Sequence, residues 1–238
     1  MKNNIACLIP SAGKGSRTGL DYPKTLYKIN SLPILIRILK SVSAIDKKPT
    51  IVIKKNFYNL FCKTLKQYSF SAELIFQKKE LGMGNSILQY SKSKKSSKYK
   101  DVLLIWGDIP FIRKSTINKL INFHYKNKNN FSLITKFVKN PYTIVRRNKE
   151  RKIISIRETK LNKKKEIKYG ERDIGIFLFN QKLVLKFLKK KLSGKYSNKE
   201  HSFLYIVEHL VNSGYKVDAL SIANNREIIS FNSLNDLK

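Results

Sequence analysis

The chain is short of cysteine, histidine, acid and long apolar runs, and each shortage excludes something. Its two cysteines, Cys7 and Cys62, sit in apolar segments at neither disulfide nor metal-ligand spacing, which argues against a disulfide scaffold or a zinc module. Its three histidines, His124, His201 and His209, have the spacing of neither a metal site nor a nucleophile's base, and they read as structural. No apolar run approaches the ~20 residues of a membrane span. The N-terminus enters a strand with no apolar leader core or small-residue cleavage site. The expectation is a reduced, soluble, cytoplasmic protein without a membrane span. Acidic residues number 16 against 49 lysines and arginines, a formal charge of +33. Most of that excess is lysine, in short clusters such as Lys94-Lys95, residues 163–165 and residues 189–191. Charge so dispersed speaks to solubility and steering, not to fold. A nucleic-acid partner is the competing reading, and no aromatic-interleaved basic motif supports it.

What the chain does have is alternation. Strand-length apolar runs at Ile5 to Ile9, Ile51 to Ile53, Leu74 to Phe76 and Val102 to Trp106 are separated by segments of helical period. Leu35, Ile38, Leu39 and Val42 mark one such face, and Phe57, Leu60, Phe61 and Leu65 another. A further helix runs from about Gly84 to Tyr90, and Ser115 looks like the N-cap of the next. This pattern predicts βαβ units, hence a Rossmann-like three-layer α/β/α fold around a mostly parallel sheet. After Phe131 to Val138 the pattern changes. Strands within 142–159 and 173–179 flank a polar stretch, Lys160 to Arg172, that reads as a loop. Two helices follow, around Leu183–Leu192 and Phe203–Val211, then a strand at Lys216 to Ile222. With no linker and no repeat, one domain over 1–238 is expected, its small mixed-strand portion walling a cleft.

The most informative stretch runs from Ile9 to Lys24, directly after the first strand. Gly13 and Gly15 allow a tight turn that brings backbone N–H groups close to an anion. Arg17 and Lys24 add two cations, a combination that suits a polyphosphate. In a doubly wound sheet, ligands bind beyond the carboxyl ends of the strands. The segment Trp106-Gly107-Asp108-Ile109-Pro110 should reach the same edge. A lone Asp there is by itself a turn-former or a helix cap. Beside Arg17 and Lys24, the carboxylate of Asp108 instead suggests Mg²⁺ held against phosphates.

Ser11-Ala12-Gly13-Lys14-Gly15-Ser16-Arg17 with Pro23-Lys24 resembles the signature of the sugar-phosphate nucleotidyltransferases, in particular their N-acetylglucosamine-1-phosphate uridyltransferase domains. Gln77 to Gly84 is similar to that family's base-reading loop. Trp106-Gly107-Asp108 resembles its Tyr-Gly-Asp metal motif, and Phe231-Asn232 the Val-Asn that completes the Mg²⁺ site. Ile156-Arg157-Glu158 and Asp173-Ile174-Gly175-Ile176 are similar to its sugar-contacting strands. The resemblance implies transfer of a nucleoside monophosphate, UTP favoured, to a sugar 1-phosphate, with pyrophosphate released. It assigns Arg17 to the β- and γ-phosphates, and Lys24 to the α-phosphate and the incoming phosphate. Ser11, Ala12, Gly13, Lys14, Gly15, Gln77, Gly82, Met83 and Gly107 would bind the nucleotide. Tyr142, Glu158 and Asp173 would face the acceptor, and Asp108 and Asn232 would hold Mg²⁺.

Four departures accompany the match: Met83 replaces Thr, Asn85 replaces His, Tyr142 falls near a Gly, and Asp173 replaces Asn. The acceptor-side changes leave the sugar open. The sequence ends before any hexapeptide-repeat acyltransferase segment, so nucleotidyl transfer alone is expected. A cytidylyltransferase is the sister reading, because Pro10 before Ser-Ala-Gly also occurs in isoprenoid-pathway cytidylyltransferases. A dinucleotide oxidoreductase would need an acid about 20 residues past the glycines; the second strand ends instead near Lys54-Lys55.

Overall fold

Buried strands alternate with amphipathic helices as far as Lys126, four strands then follow in succession, and the result is a sheet covered by helices on both faces. The structure is a computed structural model describing residues 4–13, 18–78, 81–159, 167–190, 192–194, 196–197 and 200–237. Strand β1 (Ile5–Pro10) leads through a 3-10 turn at Lys24–Leu26 to the short pair β2 (Lys28–Ile29) and β3 (Leu32–Pro33). Then come α1 (Ile34–Val42), β4 (Thr50–Ile53), α2 (Tyr58–Gln67), β5 (Glu73–Phe76), α3 (Gly82–Tyr90), β6 (Asp101–Ile105) and α4 (Lys114–Lys126). The second half comprises β7 (Phe131–Lys139), β8 (Thr143–Arg147), β9 (Ile153–Glu158), β10 (Tyr169–Asn180), α5 (Gln181–Lys189), β11 (Tyr196–Ser197), β12 (Glu200–His201), α6 (Ile206–Asn212) and β13 (Val217–Leu220).

Seven strands form the main sheet in the order β13-β7-β10-β6-β1-β4-β5. All pair in parallel except β10, which runs antiparallel to both β6 and β7. Side chains alternate between two apolar cores, as period two requires. Ile5, Cys7 and Ile9 pack with α1, α2 and α4 on one face, whereas Ala6 and Leu8 pack with α3, α5 and α6 on the other. Both faces of the inner strands are therefore dry, which explains their unbroken apolar sequence. Among the described residues, no helix is long and apolar enough to cross a membrane.

Two local expectations are corrected. Ser115 does not cap α4; the helix begins one residue earlier, with Arg113 at the cap position and no side-chain cap of its own. The helix start is served from 114 residues away by buried Glu227, which accepts from the Arg113 backbone N–H at 3.1 Å and from its guanidinium at 2.9 Å. The polar stretch before Asp173 is not all loop, since β10 already starts at Tyr169. Glu171 lies inside this strand because its carboxylate is fully engaged, by Thr135 at 2.6 Å and by Arg147 at 2.7 and 2.9 Å. Of that stretch, residues 160–166 lie outside the described residues.

Candidate active site

The loops after β1 and β6 meet at the carboxyl edge of the sheet. Ser11 prolongs the first strand, donating its N–H to Val52 O at 2.7 Å. Ser11 and Ala12 are buried, and Gly13 is exposed. Lys14, Gly15 and Arg17, three residues of the expected phosphate loop, lie outside the described residues. Gly107 shows why its position takes no side chain. A Cβ there would come within 2.5 Å of Pro10 O, 2.6 Å of Thr25 Cγ2 and 3.0 Å of Ser11 Oγ. The β6 loop is thus pressed onto the β1 loop and onto the turn that carries Lys24.

That turn follows Pro23, whose carbonyl accepts from Leu26 N at 2.8 Å. It presents the Lys24 ammonium to three oxygens: Asp108 Oδ2 at 2.5 Å, Phe231 O at 3.1 Å and Asn232 Oδ1 at 3.2 Å. Asp108 fixes the C-terminal segment in turn, because its backbone carbonyl accepts from Phe231 N at 2.8 Å. The Phe231 ring stacks on Tyr27 with centroids 4.7 Å apart. The Asn232 amide is oriented by its Nδ2, which donates to Ser230 O at 3.3 Å and to Ser230 Oγ at 3.1 Å, leaving Oδ1 toward Lys24. Lys24, Asp108 and Asn232 are therefore brought together from three distant parts of the chain.

The donor set also suits a hard cation. The second oxygen of Asp108, Oδ1, is buried with no hydrogen-bond partner. With the Asn232 amide oxygen it supplies the oxygen ligands that Mg²⁺ prefers. Among the described residues there is no group of three or more His, Cys, Asp or Glu placed to hold a metal. One carboxylate and one amide cannot complete a shell, so such an ion would take its remaining ligands from water and from phosphate oxygens.

On the opposite side, Gln77 N continues the β4–β5 edge by donating to Ile53 O at 2.9 Å. The Gln77 side chain is turned inward instead of standing free at the cleft. Its Nε2 donates to Asn85 Oδ1 at 3.0 Å, and its Oε1 accepts from Ser86 Oγ at 2.7 Å. Met83 is partly buried against the core of that face. Gly82 and Gly84 are explained by a contact inside the protein. A Cβ on Gly82 would fall 2.5 Å from His201 O, and one on Gly84 would run into Ser202 O. Residues 200–202 thus press directly on the start of α3, and His201 N donates to Leu81 O at 2.7 Å.

The acceptor-side candidates gather on the β8–β9 wall. Thr143 and Glu158 are cross-strand partners, so their side chains share a face. Thr143 Oγ1 donates to Asp173 Oδ1 at 2.6 Å, and Gly175 N donates to Asp173 Oδ2 at 3.0 Å. Asp173 is wholly buried, with both oxygens engaged by the wall itself, so it positions Thr143 and the turn at Gly175 and does not face the cleft. Its carboxyl titrates above the usual range because burial outweighs these hydrogen bonds. Glu158 is half-buried and is also pushed up, first by desolvation and then by Asp173 and Glu200. The Tyr142 hydroxyl is pushed far up by burial and by Asp173, with a smaller push from Asp108. Sequence reasoning missed Arg172, whose guanidinium lies 3.9 Å from the centre of the Tyr142 ring. It was hidden in the run read as loop.

Comparisons with known proteins show what the chain is similar to. Residues 7–158 match the family described as the MobA-like NTP transferase domain. A bifunctional protein GlmU from Buchnera aphidicola subsp. Baizongia pistaciae is 30% identical over 236 residues, covering 98% of this chain and 50% of that protein. The chain thus spans about half the length of the curated relatives it matches. Among solved structures, the inositol-1-phosphate CTP transferase from T. maritima superposes with a TM-score of 0.75 at 19% identity, covering 100% of this chain and 93% of that one. A putative glucose-1-phosphate thymidylyltransferase from Bacillus anthracis gives 0.72 at 17%, covering 92% and 87%. These two likenesses speak for the Rossmann-like fold. With its family match covering the glycine turn, both loops of the cleft and the β8–β9 wall, the chain belongs to the MobA-like NTP transferase family and is a nucleotidyltransferase.

Proposed function

We propose that this protein, as one domain over residues 1–238, transfers a nucleoside monophosphate from an NTP, UTP favoured, to a sugar 1-phosphate with Mg²⁺ as cofactor. The observation that carries the reading is the meeting of Lys24 with Asp108 and Asn232, with Lys24 Nζ at 2.5 and 3.2 Å from their side-chain oxygens. Asp108 and Asn232 would hold Mg²⁺, which when bound supplies positive charge against the reacting phosphates. An oxygen of the acceptor phosphate attacks the α-phosphorus in line. One P–O bond forms as the bond to the β-phosphate breaks, and pyrophosphate leaves with the electron pair. No protein nucleophile is needed, so the residues act by positioning and charge.

In this reading Lys24 steadies the α-phosphate and the incoming phosphate, and Arg17 the β- and γ-phosphates. Ser11, Ala12, Gly13, Lys14, Gly15 and Gly107 bring backbone close to the nucleotide. Gln77, Gly82 and Met83 border the base, and Tyr142 and Glu158 face the acceptor. A pyrophosphate-release screen of the four common NTPs against sugar and alcohol phosphates, with and without Mg²⁺, tests the proposal. UTP with a sugar 1-phosphate should give the largest metal-dependent signal. Release with CTP and an alcohol phosphate would establish the cytidylyltransferase reading instead, and silence for every pair would overturn both.

A further inference from the structure

We propose that Arg172, stacked on Tyr142, grips the phosphate of the acceptor from the β10 side of the cleft, an inference that rests on the nucleotidyl-transfer reading. The residue is placed for it. Arg172 lies in β10, paired with Lys136 of β7. Its Nε donates to Asp173 O at 3.1 Å and its Nη2 to Ile228 O at 3.3 Å. Three residues beyond Ile228, the carbonyl of Phe231 accepts from Lys24 at 3.1 Å, and Phe231 N is held by Asp108 O at 2.8 Å. Two cations from different ends of the chain therefore border the same short segment, 228–231, which Asp108 pins in place.

The chemistry of the guanidinium points to an anion. Arg172 is partly buried, and among the described residues no carboxylate forms an ion pair with it. Its neighbour Asp173 spends both oxygens on Thr143 and Gly175, at 2.6 and 3.0 Å. A guanidinium has five N–H donors; the two carbonyl bonds and the hydrogen bond to the Tyr142 hydroxyl still leave donors over for an incoming oxyanion. Asp173 interacts with this cation electrostatically but makes no direct ion pair with it, so an arriving oxyanion would be the first to contact it directly, and a planar fork matches phosphate in a bidentate way. The Tyr142 ring, 3.9 Å from Cζ, fixes the plane of that fork before the ligand binds. Lysine could reproduce the charge but neither the fork nor the stacking. The competing role is mechanical, a strut from β10 to Ile228, and it makes a different prediction.

The test uses Trp106, the single tryptophan, as a fluorescent reporter. The four common NTPs are first titrated with Mg²⁺, and the tightest is held saturating while inorganic phosphate is added. Wild type should show a saturable phosphate response. Arg172→Met should weaken it by about tenfold or more, and Arg172→Lys by less, with nucleotide affinity unchanged within about twofold. Tyr142→Leu keeps the charge but loses the stack, and should weaken phosphate a few-fold; it carries the test if Arg172→Met does not fold. Equal phosphate affinity in wild type and both arginine variants overturns the inference, as does the lack of any saturable phosphate response in wild type. A parallel loss of nucleotide and phosphate in Arg172→Met identifies a strut and also overturns it. Failure of every nucleotide to bind wild type overturns the nucleotidyl-transfer reading itself.

Discussion

Lys24 and Asp108 stand 84 residues apart in sequence, yet their side chains meet at 2.5 Å, each less than a fifth exposed. The contact places the ammonium on the carboxylate and amide that would hold a divalent ion, with Asn232 Oδ1 and Phe231 O also accepting from it at 3.2 and 3.1 Å. Lys24 is thus the counter-ion of Asp108. Lys24→Met and Asp108→Asn should each lower the rate of pyrophosphate release by about 10²-fold or more, the usual scale for a charge aimed at a reacting phosphate. The double variant should fall well short of the product of the two losses, because both act on one charge cluster. Manganese titrated into the nucleotide-free protein and followed by electron paramagnetic resonance gives a second readout. Lys24→Met should bind it more tightly than wild type, and Asp108→Asn more weakly.

Gly107 is a packing requirement of the same cleft. An added methyl would meet Pro10 O at 2.5 Å and Thr25 Cγ2 at 2.6 Å. Neither neighbour is the free end of a flexible chain, so the β1 and β6 loops must separate. Gly107→Ala should destabilise the protein by about 1–3 kcal/mol, and thermal melting would register about 2–4 °C for each kcal/mol in a chain of this size. Activity should fall further than stability alone explains, since Asp108 is the next residue. A melting point equal to wild type would mean that the loops yield without cost.

His124 gives the protein a pH-dependent stability far from the cleft. It is buried in α4, its Nδ1 lies 2.9 Å from Ser132 Oγ, and burial lowers its pKa to about 4. The folded ring resists a proton that the unfolded one accepts near pH 6.5. Stability contributed by the neutral ring is present above pH 6.5 and is lost as the pH falls toward 4. At 1.36 kcal/mol per pKa unit, that loss approaches about 3 kcal/mol. Melting temperatures measured across this window should slope downward toward acid in wild type, and the slope should flatten in His124→Gln.

The inner strands were legible because burial on both faces leaves nothing but apolar residues, and that signal is local. So was the meeting of Pro23-Lys24 with Gly107-Asp108, because each pair announces itself within a few residues. What was hidden depended on partners far away. Ser115 had the residue type of a cap, but Glu227 serves that helix start from 114 positions on. Tyr169 to Arg172 looked like loop because a strand carrying Glu171 needs Arg147 to neutralise it, 24 residues earlier. Asp173 had the chemistry of a cleft residue, and only the contact with Thr143 shows that its carboxylate faces into the wall.

Gly84 offers a last prediction, and it separates two explanations of the start of α3. A side chain there would strike the backbone of residue 202, and His201 Cδ2 lies 2.7 Å from where its Cβ would sit. Gly84→Ala should therefore push α3 away from residues 200–202 even with no ligand bound. Asn85 and Ser86 move with the helix, and they hold the Gln77 amide at 3.0 and 2.7 Å. The expected result is a melting point lowered by several degrees together with a KM for the NTP raised about tenfold, while the KM for the acceptor stays near wild type. A Gly84→Ala protein with a raised KM for the NTP and an unchanged melting point would mean that this glycine makes room for the nucleotide alone. Unchanged values of both would show that the helix start tolerates the methyl group and that its closeness to residues 200–202 has no consequence for either property.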